Sequence, residues 1–341
     1  MRKSIVWPLA ALWLSLFANP AEVLSQGFFE GKTVRIVVGY AAGGGYDTYS
    51  RAIARHMGKY IPGKPTMLVD NMPGAGSLVS ANYVFKAAKP DGLTIGNFGG
   101  GLFMQQILGR QGVEFDARTF GYIGVPAKLD TVCAFTKASG IMSLESWMAS
   151  RTPVKMGGEA PGSITDDTTK VLQAALGLPI HLVSGYKGTS AIRLAAEAGE
   201  VAGVCGIGWE SLKITWRKGL EAGDVVVVLQ ARPRAHPELP KVPVAIDFAK
   251  TEDARQLLQA GIHDMAAIIR PYVVPPGTPK ERVQVLRKAF MDMLKDPAFL
   301  AEAKKSNLDL DPLPGEEVEK IVSQLFKLSP TLLGRLKEVL K

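Results

Sequence analysis

The chain is poor in cysteine and histidine and has no long apolar span. Among 341 residues there are two cysteines and four histidines. His56, His181, His236 and His263 never fall at the spacing of metal ligands, so each reads as a surface or structural residue, and no metal or cofactor is expected. Cys133 and Cys205 lie far apart, each in an apolar, strand-like run. They can form one disulfide in an oxidising compartment, but the reading adopted is two buried thiols acting as small hydrophobes. The formal charge of +8 is spread along the chain with no basic block and no interleaved aromatics, which argues against nucleic acid as a partner. A Gly-x-Ser-x-Gly elbow is missing, so a serine hydrolase of that pattern has no support. What is present, 47% hydrophobic and 21% charged residues, describes a globular protein long enough for two domains.

The longest apolar stretch, Ile5 to Phe17, is too short for a comfortable membrane span. Arg2 and Lys3 precede it, and small or polar residues follow through Ala21 and Ser25. This is the layout of a secretory signal peptide over residues 1–25. Cleavage is expected after Ser25, with Val23 as the third residue before the cut, and after Ala21 as the alternative. Loss of Arg2, Lys3 and Glu22 leaves a formal charge of +7, a surplus that mildly favours acidic ligands.

Residues Val34 to Asp47 run as a strand into Gly43, Gly44 and Gly45 and then into a helix. A helix N-terminus leaves its first N–H groups without partners and favours negative charge, and glycines let a ligand approach the main chain. The pattern then repeats: a strand at Thr66–Val69, a glycine-rich turn at 71–77, a helix from Leu78 to Ala88 and a strand at Leu93–Phe98. Further strands are predicted at Thr131–Phe135, Val154–Met156, Ile180–Val183, Ala202–Cys205 and Val225–Leu229. Helices are predicted at Leu144–Ser150, Ile164–Leu176 and Thr189–Ala198, with a mostly helical tail from Pro279. Short buried strands separated by helices predict an α/β fold with parallel sheets. Crossings near Gly124–Pro126 and Ala231–Pro233 predict two lobes joined by a hinge.

Four segments then appear in order: Val-Val-Gly-Tyr-Ala-Ala-Gly-Gly-Gly-Tyr-Asp (37–47), Asp-Asn-Met-Pro-Gly-Ala-Gly (70–76), Lys-Pro-Asp-Gly-Leu-Thr-Ile (89–95) and Gly-Tyr-Lys-Gly-Thr-Ser (185–190). With them the chain resembles the extracytoplasmic solute receptors of tripartite tricarboxylate transporters, the Bug family. The resemblance implies a periplasmic, non-enzymatic receptor with a type II-like Venus flytrap fold, each lobe a mostly parallel sheet flanked by helices. It implies lobes of 26–124 with 233–341 and of 125–232, a small organic carboxylate between them, and a monomer that docks transiently on the transporter's membrane subunits.

Carried over by position, Tyr40, Ala42, Gly43, Gly44 and Asp47 would line the ligand from the first lobe, and Ser163, Gly188 and Thr189 from the second. Two carboxylates on one ligand would each meet a helix N-terminus. Ser163 and Thr189 read equally as helix caps. Asp47 would repel an anion, so it either holds the loop or bonds a protonated or amino part of the ligand. Tyr40, Tyr46 and Phe103 could form an aromatic wall, or belong to the core. Gly39 stands where the family usually has proline, Tyr46 adds bulk after the glycines, and Pro161-Gly162-Ser163 replaces a serine-containing turn.

Other readings are an exported α/β enzyme and a carboxylate sensor for a signalling partner. Gly43, Gly45 and Asp70 mimic a dinucleotide site, but Thr48 stands at the third glycine position. Gly157 and Gly162 mimic phosphate-loop spacing, with Ser163 and Ile164 in place of the required Lys and Ser/Thr. Asp166-Asp167 reads as a pair of dipole partners in a helix's first turn.

Overall fold

The computed structural model describes residues 27–340 apart from Ala41, Gly44, Ala160 and Lys187, so the expected leader lies outside the described residues. Strand β1 (Thr33–Val38) leads to helix α1 (Gly45–Met57), β2 (Thr66–Asn71) to α2 (Leu78–Lys86), and β3 (Thr94–Asn97) to α3 (Gly101–Ile107). After β4 (Gly121–Val125) come β5 (Thr131–Thr136), α4 (Leu144–Met148), β6 (Val154–Gly157) and α5 (Ile164–Leu176). Next are β7 (Ile180–Val183), α6 (Thr189–Glu197), β8 (Gly203–Gly208), α7 (Trp209–Thr215), α8 (Arg217–Ala222) and β9 (Val225–Gln230). The chain continues through α9 (Glu252–Leu258), α10 (Asp264–Ala267), β10 (Tyr272–Val274), α11 (Lys280–Met293) and α12 (Pro297–Lys305). It closes with β11 (Leu313–Pro314), α13 (Gly315–Leu325) and α14 (Pro330–Val339). Among the described residues no helix is long and apolar enough to cross a membrane.

The strands form two sheets, of order β11-β4-β10-β3-β1-β2 and β7-β6-β8-β5-β9. Both are mixed. Strand β1 pairs parallel with β2 and β3, and β6 pairs parallel with β7 and β8. Strand β10 runs antiparallel between β3 and β4, and β5 runs antiparallel between β8 and β9. A strand that enters a sheet from another part of the chain need not follow a right-handed crossover, so period and length alone do not set its direction.

In β1, Val34, Ile36, Val37 and Val38 are all fully buried, as expected for a strand covered on both faces. Tyr49, Ala52, Ile53 and Met57 turn the buried stripe of α1 inward at helical spacing, with Asp47 in its first turn and Arg55 and His56 in its last. A continuous core runs from Phe98, Phe103 and Tyr122, in and beside the first sheet, to Val171, Leu172 and Met265 beside the second. Helices α9 and α14 pack against α5 and against each other. Gly261 sits where they meet: a Cβ there would lie 2.8 Å from Val171 and 3.4 Å from Leu336.

Cys133 and Cys205 form a disulfide, which corrects the expectation of two thiols. Their distance of 72 residues along the chain misleads, because β5 and β8 are antiparallel neighbours. The pairing of Val132 with Ile207 and of Ala134 with Val204 places a bulge between them, where the two cysteines meet.

Candidate functional site

The turn between β1 and α1 is clipped from behind by one carboxylate. Asp47, 2% exposed, accepts the Gly43 N–H at 2.8 Å and the Arg51 Nε–H at 2.9 Å through Oδ2. Its Oδ1 accepts from Asn71 Nδ2 at 3.0 Å, and the same amide donates to the Tyr40 carbonyl at 2.9 Å. Burial pushes the Asp47 pKa up, but these donors outweigh it and hold the carboxyl below its ordinary range. Asp47 therefore faces the loop. Gly43 takes φ of +84°, Ala42 and Gly43 are exposed, and Gly44 lies outside the described residues. Gly39 has no room for a side chain: a Cβ would lie 2.4 Å from both Ser77 and Ser80 at the start of α2.

Tyr40 stacks on Tyr46 with ring centroids 4.2 Å apart, and the Tyr46 hydroxyl donates to the Ile269 carbonyl at 2.8 Å. Burial raises the Tyr46 phenol well above its ordinary value. Beside this pair stands Arg270, its guanidinium carbon 5.3 Å from the ring centres of both Tyr46 and Tyr49. A Cβ on Gly45 would lie 3.7 Å from Arg270 Nη2, so the guanidinium borders the start of α1. Arg270 Nε is buried and has no hydrogen-bond partner among the described residues. Phe103 is fully buried among Phe98, Phe115 and Tyr122 and belongs to the core.

Tyr40, Tyr46 and Arg270 open onto a cleft of about 600 Å³ between the sheets. Tyr40, Tyr46, Arg110 and Arg270 line it from one side, Glu159 and Ser163 from the other. Leu129 and Arg270 separate it from a second cavity of about 480 Å³, bounded by Tyr49, Asp130, Trp209 and Arg232. Arg270 thus reaches both halves of the interlobe space. Residue spacing gave no warning of this; the one signal was a lone cation in the apolar run 268–274.

At the far wall, Ser163 caps α5. Its Oγ accepts the Asp166 N–H at 3.3 Å and lies 3.1 Å from Asp166 Oδ1, while Gly162 N donates to Asp167 Oδ1 at 3.0 Å. Fully buried Asp166 also accepts from Ser184 Oγ at 2.5 Å. Burial pushes Asp167 up to about 6 and, with the charge of Asp166, pushes Glu159 up as well. The N-terminus of α5 is thus partly occupied by this chain's own groups, the Asp167 carboxylate on Gly162 and the Ser163 hydroxyl on Asp166. Gly188, at φ of +133°, and Thr189 begin α6 and are not among the residues lining the cleft.

The features that mimic enzymes are otherwise engaged. Asp70 pairs with Arg35 at 3.2 Å across β1 and β2. Among the described residues no group of three or more His, Cys, Asp or Glu side chains is placed to hold a metal.

The model of the family described as "Tripartite tricarboxylate transporter family receptor" matches residues 50–332. A UPF0065 protein in the gbd 5′ region of Cupriavidus necator is 24% identical over 328 residues, covering 95% of this chain and 93% of the relative. The crystal structure of a TctC solute-binding protein from Polaromonas, without ligand, superposes with a TM-score of 0.68 at 17% identity, covering 91% of this chain and 98% of that one. A Rhodopseudomonas palustris protein with adipate gives a TM-score of 0.66 at 20% identity, covering 91% and 97%. These similarities establish the two-lobed periplasmic binding protein fold.

Proposed function

This chain belongs to the tripartite tricarboxylate transporter receptor family, and on that premise we propose that it captures a small carboxylate in its interlobe cleft and delivers it to the membrane subunits of a transporter. The observation that carries the reading is Arg270, whose buried Nε lacks a partner beside the β1–α1 turn. A buried guanidinium N–H without an acceptor is costly, and a carboxylate relieves that cost through charge-assisted hydrogen bonds. The 13-residue helix α1 aims its N-terminal N–H groups into the same region, with Gly43 exposed at the turn. Tyr40 and Tyr46 supply a wall for the ligand's body. The protein binds and releases without chemistry, works in the periplasm after losing its leader, and acts as a monomer with transient membrane contacts. Adipate in the R. palustris relative supports a small organic acid as the class of ligand.

The lobes in this reading turn about residues 126–130 and 268–271, where the chain passes between the sheets. The second lobe then keeps α9 and α10 and is strapped by α14, because these helices lie against α5 or its neighbours. This moves the second crossing from the position near 233 that the sequence suggested.

Calorimetry of the mature protein against a panel of organic acids is expected to show one-to-one binding, weakened at least about 30-fold by Arg270→Ala. Tight binding of a nucleotide, or steady conversion of any ligand, would sink the proposal.

A further inference from the structure

The two walls of the cleft differ in charge. On the side of the first sheet stand Arg270 and Arg110; on the other stands Glu159, half-buried and within the field of buried Asp166, with Asp167 next in the same helix. Two backbone donors at the start of α5 are taken by the chain's own groups: Gly162 N–H by Asp167 and Asp166 N–H by Ser163. Arg110 is drawn the same way, toward the Pro161 carbonyl at 3.5 Å and the charge of Asp167.

Accepting that the cleft takes a carboxylate, the geometry points to an amino-carboxylate, with its carboxylate on Arg270 and its ammonium group on Glu159. A second ligand carboxylate at the Glu159 wall would meet a like charge in a partly desolvated place. An ammonium group brings three donors and the opposite charge, and so satisfies both the Glu159 oxygens and the field of Asp166 and Asp167. Arg270 Nε, buried and unpartnered in the same cleft, anchors the other end. Selection thus rests on opposite charges at two ends of one cavity of about 600 Å³.

The test pairs ligands of equal length on the mature protein: β-alanine, γ-aminobutyrate and δ-aminovalerate against succinate, glutarate and adipate, read by calorimetry. The expected result is tighter binding of at least one amino-carboxylate than of its matched dicarboxylate by at least about 30-fold, a gap that Glu159→Gln closes. Circular dichroism checks that the variant is folded, and the wild-type comparison decides the matter if it is not. Dicarboxylates binding as tightly as their amino counterparts, bridged between Arg270 and Arg110, would overturn this inference and leave the carboxylate receptor standing. Loss of preference would have to track Glu159: a ratio unmoved in folded Glu159→Gln also overturns it. Failure of every carboxylate to bind would remove the underlying reading itself.

Discussion

Arg270 gains its importance from where β10 inserts. Strand β10 runs antiparallel between β3 and β4, so its leading residues come up beside α1, although more than two hundred residues separate them in sequence. No local pattern encodes that meeting, which is why the turn at 43–45 was legible and its cationic neighbour was not. Asp47 was legible in part: like charge argued that it does not contact an anion, and its three donors show it holding the turn. Asp47→Ala would leave these donors without their acceptor and is expected to cost about 1–3 kcal/mol at neutral pH, with weaker carboxylate binding. The folded carboxyl titrates below the ordinary 3.8, so its ionic contribution is complete above that pH and is lost as pH falls through the folded value. Urea unfolding of wild type and variant should therefore give a gap that narrows in acid, and a pH-independent gap would assign the loss to packing alone.

Among the elements, α5 shows what local signals can specify. Ser163 at its start and Gly177 at φ of +66° at its end bound the observed helix Ile164–Leu176, the span the sequence predicted. Strands β1–β3 and β5–β9 were found, most with ends shifted by one to a few residues, since buried runs mark existence better than ends; β4, β10 and β11 were not among the predicted strands. The cysteines were misjudged because their contact depends on the pairing and bulge of β5 with β8, which no run of residues reveals. Closing a span of 72 residues limits the unfolded chain, so a Cys133→Ala, Cys205→Ala double variant is expected to lose about 4 kcal/mol. Denaturant unfolding of both proteins under oxidising conditions measures it, and equal midpoints would show that the crosslink adds no stability.

At the scale of the whole molecule, the proposed hinge has few residues to absorb the rotation, at 126–130 and 268–271, and rotation there leaves each sheet intact. A ligand touching Arg270 on one wall and Glu159 on the other stabilises the closed form by contacts that the open form lacks. Small-angle scattering is expected to give a smaller radius of gyration at saturating ligand. An unchanged radius at proven saturation would contradict closure. Two lobes were legible because each sheet draws on alternating strands and helices. The helical tail was legible but the placement of its last helix was not, since α14 looks like any amphipathic helix until the contacts around Gly261 show it lying against α5.

The insertion of β10 also orders events in time. Strands β5 to β9 are contiguous from Thr131 to Gln230, so the second sheet is complete as soon as that stretch is available. Strands β3 and β4 cannot be joined until Tyr272 to Val274 arrive to sit between them, so the first sheet must wait with its centre missing. Under the proposed export, a chain threaded through a membrane from its N-terminus would emerge with its leading half unable to close, and would settle it last, around the strand that carries Arg270 beside it.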